Sequence, residues 1–358
     1  MLIPRLTILY LYITDKCNLK CKHCWIDGDV MKEQFIDYDI LEEVVSQMID
    51  MGLLQVNITG GEPLLHPRFI DIIHLFCKSN ISIYLNTNGI LLDEGICDEL
   101  GRYQKLIRCS VSLDSSQPNI HDRIRGKKNA FQETVLGIKR LIGVGIPCEI
   151  IFTIQEANKH QIKEIYDLAC SLNVTLLRYN FLQYGLGDRI NKLKNEEGEM
   201  SVNEIITLKR EIDRLHQDGG LKTSTNLPFS FYKPEEISGL GKRVCGIKHA
   251  IGIIPSGHFS LCGVGELNKE MVMGDMRQKS IKEVWSSNTV INKIRRDIPS
   301  KLTGVCRRCN LKELCNGYCI AQNYMDSTDI TAAFSLCEKM YREGRFPEKY
   351  LLKRSVYE

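Results

Sequence analysis

The sequence has no long apolar run. A membrane-spanning helix needs about 20 consecutive apolar residues, whereas the early apolar stretch Leu6–Thr14 ends after nine residues at Asp15 and Lys16. Arg5 is the only basic residue before this stretch and no small-residue cleavage site follows it, so a secretory signal peptide is excluded as well. We therefore expect no membrane partner and a cytoplasmic protein, in which cysteines stay reduced.

The sequence also lacks a charge excess of either sign. Its 47 Lys and Arg residues balance 44 Asp and Glu residues, which leaves a formal net charge of +3. Such a balance gives no general electrostatic field for nucleic acid or for an anionic membrane surface, so we expect neither partner. The 43% hydrophobic content is enough for a buried core, and the length of 358 residues predicts two domains.

Cysteine is the residue type that stands out. The 15 cysteines are about 4% of the chain, below the roughly 8–10% typical of a fold built on disulfides. In a chain of this length, many cysteines more often bind metal, take part in catalysis or pack in the core.

The first half of the chain alternates two patterns. Short apolar or β-branched runs predict six strands: Leu6–Thr14, Leu54–Thr59, Ile81–Asn86, Leu106–Leu113, Pro147–Ile154 and Val174–Phe181. Between them, apolar residues recur at the spacing of a helix face, for example at Phe69, Ile72, Ile73 and Phe76. Six strand–helix units of about 30 residues each predict an α/β fold with a parallel sheet and helices packed outside it.

Six units are fewer than the eight of a closed barrel, so the sheet is either a partial, TIM-like (β/α)6 barrel or an open doubly wound sheet. Residues 183–200 are polar and are expected to form a loop, followed by a helix over residues 202–216. From Cys245 onwards the alternation stops. We predict a barrel domain over residues 1–220, an irregular linker over 221–240, a small cysteine-rich domain over 241–345 and a basic tail over 346–358.

The first group of cysteines follows the first predicted strand. Cys17, Cys21 and Cys24 have a C-x3-C-x2-C spacing, so three thiolates can reach one metal centre from a single loop. Thiolates suit zinc or an iron–sulfur cluster. Three ligands on a four-iron cluster leave one iron open for a substrate, whereas a structural zinc needs a fourth ligand. His23 is the nearest candidate, but it is poorly placed to share a metal with its neighbour Cys24.

This spacing resembles the signature of the radical S-adenosylmethionine (SAM) superfamily. In that family three cysteines bind a 4Fe–4S cluster whose fourth iron binds SAM, inside a partial barrel of six units. The resemblance implies one such cluster on Cys17, Cys21 and Cys24, with a flavodoxin or ferredoxin as reductant. His23 lies where the family prefers an aromatic residue.

Further motifs at strand ends agree with this resemblance. Thr59-Gly60-Gly61-Glu62-Pro63 follows the second strand; glycine there permits close approach of a ligand, although Gly-Gly also makes simple turns. In the family this segment binds the amino group of SAM, a serine after the fourth strand lies near the ribose, and an arginine further on contacts SAM. By resemblance, the SAM site comprises His23, Gly60, Gly61, Glu62, Pro63, Asn88, Ser112, Asp114 and Arg125.

A second group of seven cysteines occupies the C-terminal part of the chain. A zinc ribbon is one interpretation, but the pattern more closely resembles the SPASM domain, which carries one or two auxiliary iron–sulfur clusters. The resemblance implies two auxiliary clusters of the 4Fe–4S type, an outer one on Cys306, Cys309, Cys315 and Cys337 and an inner one on Cys245, Cys262 and Cys319.

Two closed clusters need eight thiolates, and this region has seven. Ser238, Gly239 and Leu240 lie where some relatives have an additional cysteine. We therefore expect the inner cluster to have one iron that is open, or filled by another group or by substrate. Core packing is expected for the five other cysteines: Cys77, Cys97, Cys109, Cys148 and Cys170.

Most SPASM proteins modify peptides, so the resemblance implies a maturase that forms a thioether or carbon–carbon crosslink in a ribosomally made precursor peptide. One alternative is a formylglycine-forming, sulfatase-type maturase, but such enzymes have an aspartate where this chain has Gly263. Another is a metal-stabilised binding protein without enzyme activity. The sequence assigns no catalytic base; the candidates are Tyr179, Tyr184, Asp188 and His258.

Many peptide maturases have an N-terminal domain that recognises the leader of the precursor. Because the cluster motif begins at Cys17, we expect no such domain before it. The leader would then be recognised by a separate protein, by the SPASM surface or by the basic tail, which suits an acidic leader. The plainer interpretation of the tail, which we favour, is a solvated helix face.

Overall fold

The computed structural model describes residues 4–26, 32–217, 220–239 and 246–352. Cys245, Lys353 and Arg354 lie outside these ranges. Within them, ten strands form one sheet: β1 (Ile8–Tyr12), β2 (Gln55–Thr59), β3 (Ser82–Thr87), β4 (Ile107–Ser112), β5 (Cys148–Ile154), β6 (Leu176–Phe181), β7 (Thr223–Thr225), β8 (Ala250–Ile253), β9 (His258–Ser260) and β10 (Val272–Asp275).

The strand order is β10-β9-β8-β1-β2-β3-β4-β5-β6-β7. From β8 through β1 to β7 every neighbouring pair is parallel, and only β9 and β10 are antiparallel. All six strands predicted for the first half are present, with ends within two residues of the predicted ones. The predicted parallel α/β sheet is confirmed.

Helices connect the strands and cover the sheet. Those of the described ranges are α1 (Tyr38–Asp50), α2 (Phe69–Lys78), α3 (Glu94–Gly101), α4 (Pro118–Arg125), α5 (Ala130–Gly143), α6 (Ile162–Ser171), α7 (Asp188–Glu197), α8 (Val202–Gln217), α9 (Pro234–Gly239), α10 (Ile281–Ser287), α11 (Thr289–Asp297), α12 (Gly304–Arg308), α13 (Lys312–Cys315), α14 (Ile320–Ser327) and α15 (Ser335–Arg342). In α2 the predicted apolar face, Phe69, Ile72, Ile73 and Phe76, is buried. The carboxylate of Asp37 starts α1 by accepting hydrogen bonds from two N–H groups of its first turn.

Two segments differ from the expectation. Residues 183–200 contain α7 rather than only a loop; its sole buried residues, Ile190 and Leu193, give too short an apolar pattern to reveal a helix. Residues 221–240 are not irregular, because β7 pairs with β6 and α9 follows. Three residues of strand are too few to show an alternating pattern.

The sheet curves so that the loops at its carboxyl edge meet. Strands β1 and β6 are five positions apart, which would be about 24 Å in a flat sheet. Nevertheless, a Cβ atom on Gly187, in the loop after β6, would lie 2.6 Å from the carbonyl oxygen of Trp25, in the loop after β1. The curved sheet is therefore a partial TIM-like barrel, which is the first of the two alternatives predicted from the sequence.

The cysteine-rich part of the chain continues the same sheet, because β8 pairs with β1. A β8–β9 hairpin follows, with Gly257 in the left-handed region (φ +81°). The described part of the tail packs on this region: the Tyr350 hydroxyl donates to the Tyr232 carbonyl at 2.6 Å, and Leu351 bridges to Cys309.

Candidate active site and auxiliary cysteine sites

The predicted cluster loop follows β1. Its base is tied together because the carboxylate of Asp15 accepts hydrogen bonds from the N–H groups of Lys32 (2.8 Å) and Gln34 (2.6 Å). The three thiols lie within electrostatic range of one another: burial, with a smaller contribution from Cys21, raises the pKa of Cys17 to about 12 and that of Cys24 to about 11. Metal binding here therefore displaces protons from the thiols.

Gly60 and Gly61 lie against this loop. A Cβ atom on Gly60 would lie 2.2 Å from the Thr14 carbonyl oxygen, and one on Gly61 would lie 2.2 Å from that of Lys16. The Gly61 N–H donates to the Thr14 carbonyl at 2.7 Å. The close approach that requires glycine is thus to the cluster loop of the chain itself, whereas the sequence suggested approach to a ligand.

Glu62 joins the ends of β2 and β3. Its buried carboxylate accepts hydrogen bonds from the Thr87 hydroxyl (2.7 Å) and the Asn88 N–H (2.8 Å). Burial raises the pKa of Glu62 to about 7. Asn88 also donates through Nδ2 to Asn18 at 2.7 Å, and the buried Pro63 begins the turn that follows. These residues position the cluster loop, and the Glu62 oxygens are already engaged.

A buried ion pair faces the loop from the end of β4. Asp114 pairs with Arg125 (Oδ2–Nη2, 2.7 Å), and Arg125 Nη1 lies 3.7 Å from the Cys21 sulfur. Burial alone would raise the pKa of Asp114, but the charge of Arg125 holds it below its ordinary value. Ser112 is half-buried at the end of the same strand. A positive charge is thereby fixed beside a predicted cluster ligand.

His23 connects this ion pair to β5. Burial lowers the pKa of His23 to about 4, so its ring is neutral at pH 7. Gln155 Nε2 donates to its Nδ1 at 3.3 Å, which leaves the proton on Nε2, 3.5 Å from Asp114. Gln155 directly follows a predicted strand; the sequence analysis missed it, although that position at a strand's carboxyl end was a usable signal.

The residues present fit a polar ligand bound beside a cluster. Besides Asp114 Oδ2, which is ion-paired with Arg125, two buried polar atoms of this site, Arg125 Nε and Gln155 Oε1, have no hydrogen-bond partner in the described part of the chain. Such atoms require an explanation, and the carboxylate, hydroxyl and amino groups of SAM are suitable partners. The described ranges contain no three Cys, His, Asp or Glu side chains arranged to hold a single metal ion.

The C-terminal cysteines fall into two places. The four of the predicted outer cluster line one small cavity: Cys306, Cys309, Cys315 and Cys337. The Ser230 hydroxyl lies 3.4 Å from the Cys337 sulfur. Cys262 follows β9, and Cys319 lies close enough that its charge raises the pKa of Cys262 further, although burial is the larger cause. The structure thus groups the described cysteines as the sequence predicted, while Cys245 lies outside the described residues.

The two cysteine regions touch. A Cβ atom on Gly263, next to Cys262, would lie 2.3 Å from the ring of Tyr12 and 2.4 Å from that of Trp25, next to Cys24. The two rings pack edge to face, with centroids 5.8 Å apart. An aspartate at position 263 would therefore collide with both rings.

The candidate bases do not converge. The buried Tyr179 donates its hydroxyl to the Ile162 carbonyl at 2.7 Å, which indicates a packing role. His258 lies in the β8–β9 hairpin beside Ser256, Asp188 begins α7, and Tyr184 lines a cavity after β6. Core packing is confirmed for four of the remaining cysteines, whereas Cys170 is exposed.

Comparison with known proteins agrees with this geometry. The profile of the radical SAM superfamily matches residues 11–169, and that of the SPASM iron–sulfur cluster-binding domain matches residues 245–310. Residues 11–169 therefore form a radical SAM domain, and residues 245–310 match a SPASM domain. This radical SAM enzyme binds SAM and a 4Fe–4S cluster in its barrel and auxiliary iron–sulfur clusters in its SPASM domain.

Relatives of this radical SAM enzyme differ in activity. It is 25% identical to an AdoMet-dependent heme synthase from Methanosarcina barkeri, over 93% of the chain and 96% of the relative. It is 26% identical to the subtilosin biosynthesis protein AlbA of Bacillus subtilis, over 86% of the chain and 65% of the relative. The structure of Streptococcus suis SuiB bound to precursor peptide SuiA superposes with a TM-score of 0.75 at 19% identity, covering 94% of this chain and 77% of SuiB.

No helix in the described part of the chain is long and apolar enough to cross a membrane.

Proposed function

We propose that the enzyme forms a thioether or carbon–carbon crosslink in a ribosomally made precursor peptide. The observation that carries the proposal is the contact between the two cysteine regions, in which Gly263 beside Cys262 packs on Trp25 beside Cys24. Each crosslink removes two hydrogens from the peptide, as one hydrogen atom, one electron and one proton released to solvent, so it needs a hydrogen-atom acceptor and a second electron acceptor close together. The AlbA and SuiB relatives support a peptide as the substrate.

In the proposed chemistry, the bound groups supply the radical and the electron acceptor, and side chains of the protein surround and position them. When bound, SAM on its cluster supplies a 5′-deoxyadenosyl radical, and the auxiliary cluster supplies the second electron acceptor. The Arg125–Asp114 pair fixes a positive charge beside Cys21. Tyr12 and Trp25 pack edge to face between the two regions, against Gly263. We propose that Cys17, Cys21 and Cys24 hold the first cluster and that the grouped SPASM cysteines hold the others.

Co-expression with a candidate precursor, any short peptide found encoded beside the gene, tests the proposal. We expect mass spectrometry to show a loss of two hydrogens per crosslink, together with 5′-deoxyadenosine from the anaerobically reconstituted and reduced enzyme. A peptide of unchanged mass, although deoxyadenosine forms, would contradict the crosslink. A reductant of the flavodoxin or ferredoxin type and a separate leader-recognition protein are part of the proposal.

Oxidation of a tetrapyrrole is a second candidate. The observation that favours it is the alignment with the heme synthase along 96% of that protein's length, whereas AlbA is aligned over 65%. Titration with an iron porphyrin distinguishes the two candidates. Saturable binding with a shifted Soret band, together with no change in the peptide's mass, would favour the tetrapyrrole.

A further inference from the structure

A cavity of about 420 Å³ lies at the carboxyl ends of β6 and β7. Barrel residues form one wall, and α14 and α15 of the cysteine-rich region form the other. Buried apolar side chains line it, among them Phe181, Leu227 and Phe334. Its volume is within the range of about 300–1,000 Å³ found for ligand pockets. None of the residues predicted to bind SAM lines it, so SAM is not its expected occupant.

Gln322 on the cavity wall has an unsatisfied acceptor. The residue is 1% exposed, and its Nε2 donates to the Tyr184 carbonyl and to Asp326 Oδ1, both at 2.7 Å. Its Oε1 is shielded from solvent and accepts from no donor in residues 4–26, 32–217, 220–239 or 246–352. A buried acceptor without a donor is costly, so it points to a ligand that brings a donor.

The charges around the cavity balance, so they give no net attraction for an anionic ligand. Lys194 pairs with Glu199 at 3.0 Å, and Lys339 lies 3.9 Å from the same carboxylate. Asp326 adds a further carboxylate to the lining. The two cations are thus matched by two acidic residues, so the carboxylates of a tetrapyrrole would find no spare positive charge. An uncharged ligand that donates hydrogen bonds fits better.

The position of the cavity links it to the chemistry. The backbone N–H of Gln322 donates to the sulfur of Cys319, with 3.5 Å between nitrogen and sulfur. Cys319 is a predicted ligand of the inner auxiliary cluster. A Cβ atom on Gly185, in the loop after β6, would lie 2.5 Å from Asp326 Oδ1. The barrel loop therefore packs directly against α14, whose N-terminal cap is Cys319.

We propose that this cavity binds an extended, uncharged segment of the precursor peptide, with an apolar side chain against Phe181 and Phe334 and a backbone N–H donating to Gln322. The inference rests on the proposed function and adds where the peptide is held. It also predicts that the enzyme prefers precursor peptides whose bound segment consists of apolar, uncharged residues.

The test measures binding rather than turnover. A phage-displayed library of random short peptides is selected on the reconstituted holoenzyme, and the enriched peptides are synthesised with a fluorophore. Ser335 is exposed and lines the cavity, so Ser335→Trp places a bulky ring there, at the loss of the hydrogen bond between Ser335 and Asp326. Ser171→Trp, at an exposed serine outside the cavity, is the matched control. We expect apolar, uncharged peptides whose Kd rises at least about tenfold in S335W and stays unchanged in S171W.

Methylation of each backbone nitrogen of the peptide in turn then tests the proposed hydrogen bond to Gln322. We expect methylation at one position to lower the affinity at least about tenfold. Absence of enriched peptides, equal affinity in S335W, or tolerance of every N-methyl group would overturn the inference. Weaker binding of an iron porphyrin to S335W than to the parent enzyme would also overturn the inference. If the co-expressed precursor is still crosslinked when one of these results is found, the proposed function stands and only this location is wrong.

Discussion

The two groups of cysteines in this enzyme have opposite surroundings. Charged and polar groups surround the loop of Cys17, Cys21 and Cys24: a guanidinium beside a thiol, a buried carboxylate and a neutral imidazole. Two cysteines of the outer group, Cys309 and Cys337, pack in an apolar cluster with Val305, Phe334, Met340 and Phe346. Groups around a metal site tune its ligands and its solvent access. The contrast therefore indicates that SAM and substrate chemistry belong to the first site, whereas the outer one is insulated.

The sharpest test of this comparison removes one ligand from each group. We expect Cys21→Ala to abolish SAM cleavage, a loss of at least about 1,000-fold, because the first cluster then lacks a ligand. Cys309→Ala should keep cleavage within about tenfold while crosslink formation is lost. Deoxyadenosine and peptide mass are quantified together, with Cys170→Ala, at an exposed cysteine, as the control. If C309A abolished cleavage as C21A does, the two sites would not be separate in function.

A second test removes the positive charge of the first site. In Arg125→Met the carboxylate of Asp114, which is 0% exposed, loses its partner, and we expect a loss of about 3–5 kcal/mol of stability. Adding Asp114→Asn should restore more than half, since no unpaired charge remains. Thermal unfolding of identically reconstituted samples measures both. A double variant as unstable as R125M would show that packing, and not charge, dominates there.

Disturbing the contact between the two cysteine regions should lower stability by a smaller amount. Gly263→Ala places a methyl group against Tyr12 and Trp25, and overpacking of this kind costs about 1–3 kcal/mol. Gly143→Ala is the matched control, because a Cβ atom on Gly143, at the end of α5, meets nothing within 4 Å. We expect a lower melting temperature and altered crosslinking in G263A alone. Equal stability of the two variants would contradict the close packing of the regions.

Sequence patterns predicted the elements that repeat and missed those that do not. The strands β1 to β6 have enough apolar residues for the pattern to show, and C-x3-C-x2-C is local in the chain. By contrast, α7 buries only Ile190 and Leu193, and β7 has three residues. Gln155 and Gln322 are single polar residues whose importance depends on the folded surroundings, such as the Tyr184 carbonyl, 138 residues away from Gln322. No local pattern encodes such a contact.

The last expected effect is negligible near neutral pH, grows only on acidification, and again separates the two groups. Burial and, to a smaller extent, the charge of Arg125 lower the pKa of His121 to about 4, although Asp114 and Asp122 oppose this. The unfolded chain binds a proton near pH 6.5 that the folded protein does not bind until about pH 4. Stability is therefore lost as the pH falls through this window, by at most about 1.4 kcal/mol per pH unit for this group.

His121→Asn should reduce this loss, because an asparagine oxygen can accept from the Asp114 N–H as Nδ1 does at 3.1 Å but does not titrate there. His23, whose pKa burial also lowers to about 4, preserves part of the effect. Melting temperatures across the window measure the difference between variant and parent. In the outer group, burial raises the pKa of Cys306 to about 11 and of Cys315 to about 12, so those thiols do not change protonation there. An unchanged pH profile in H121N would place the acid sensitivity elsewhere than at the charged site.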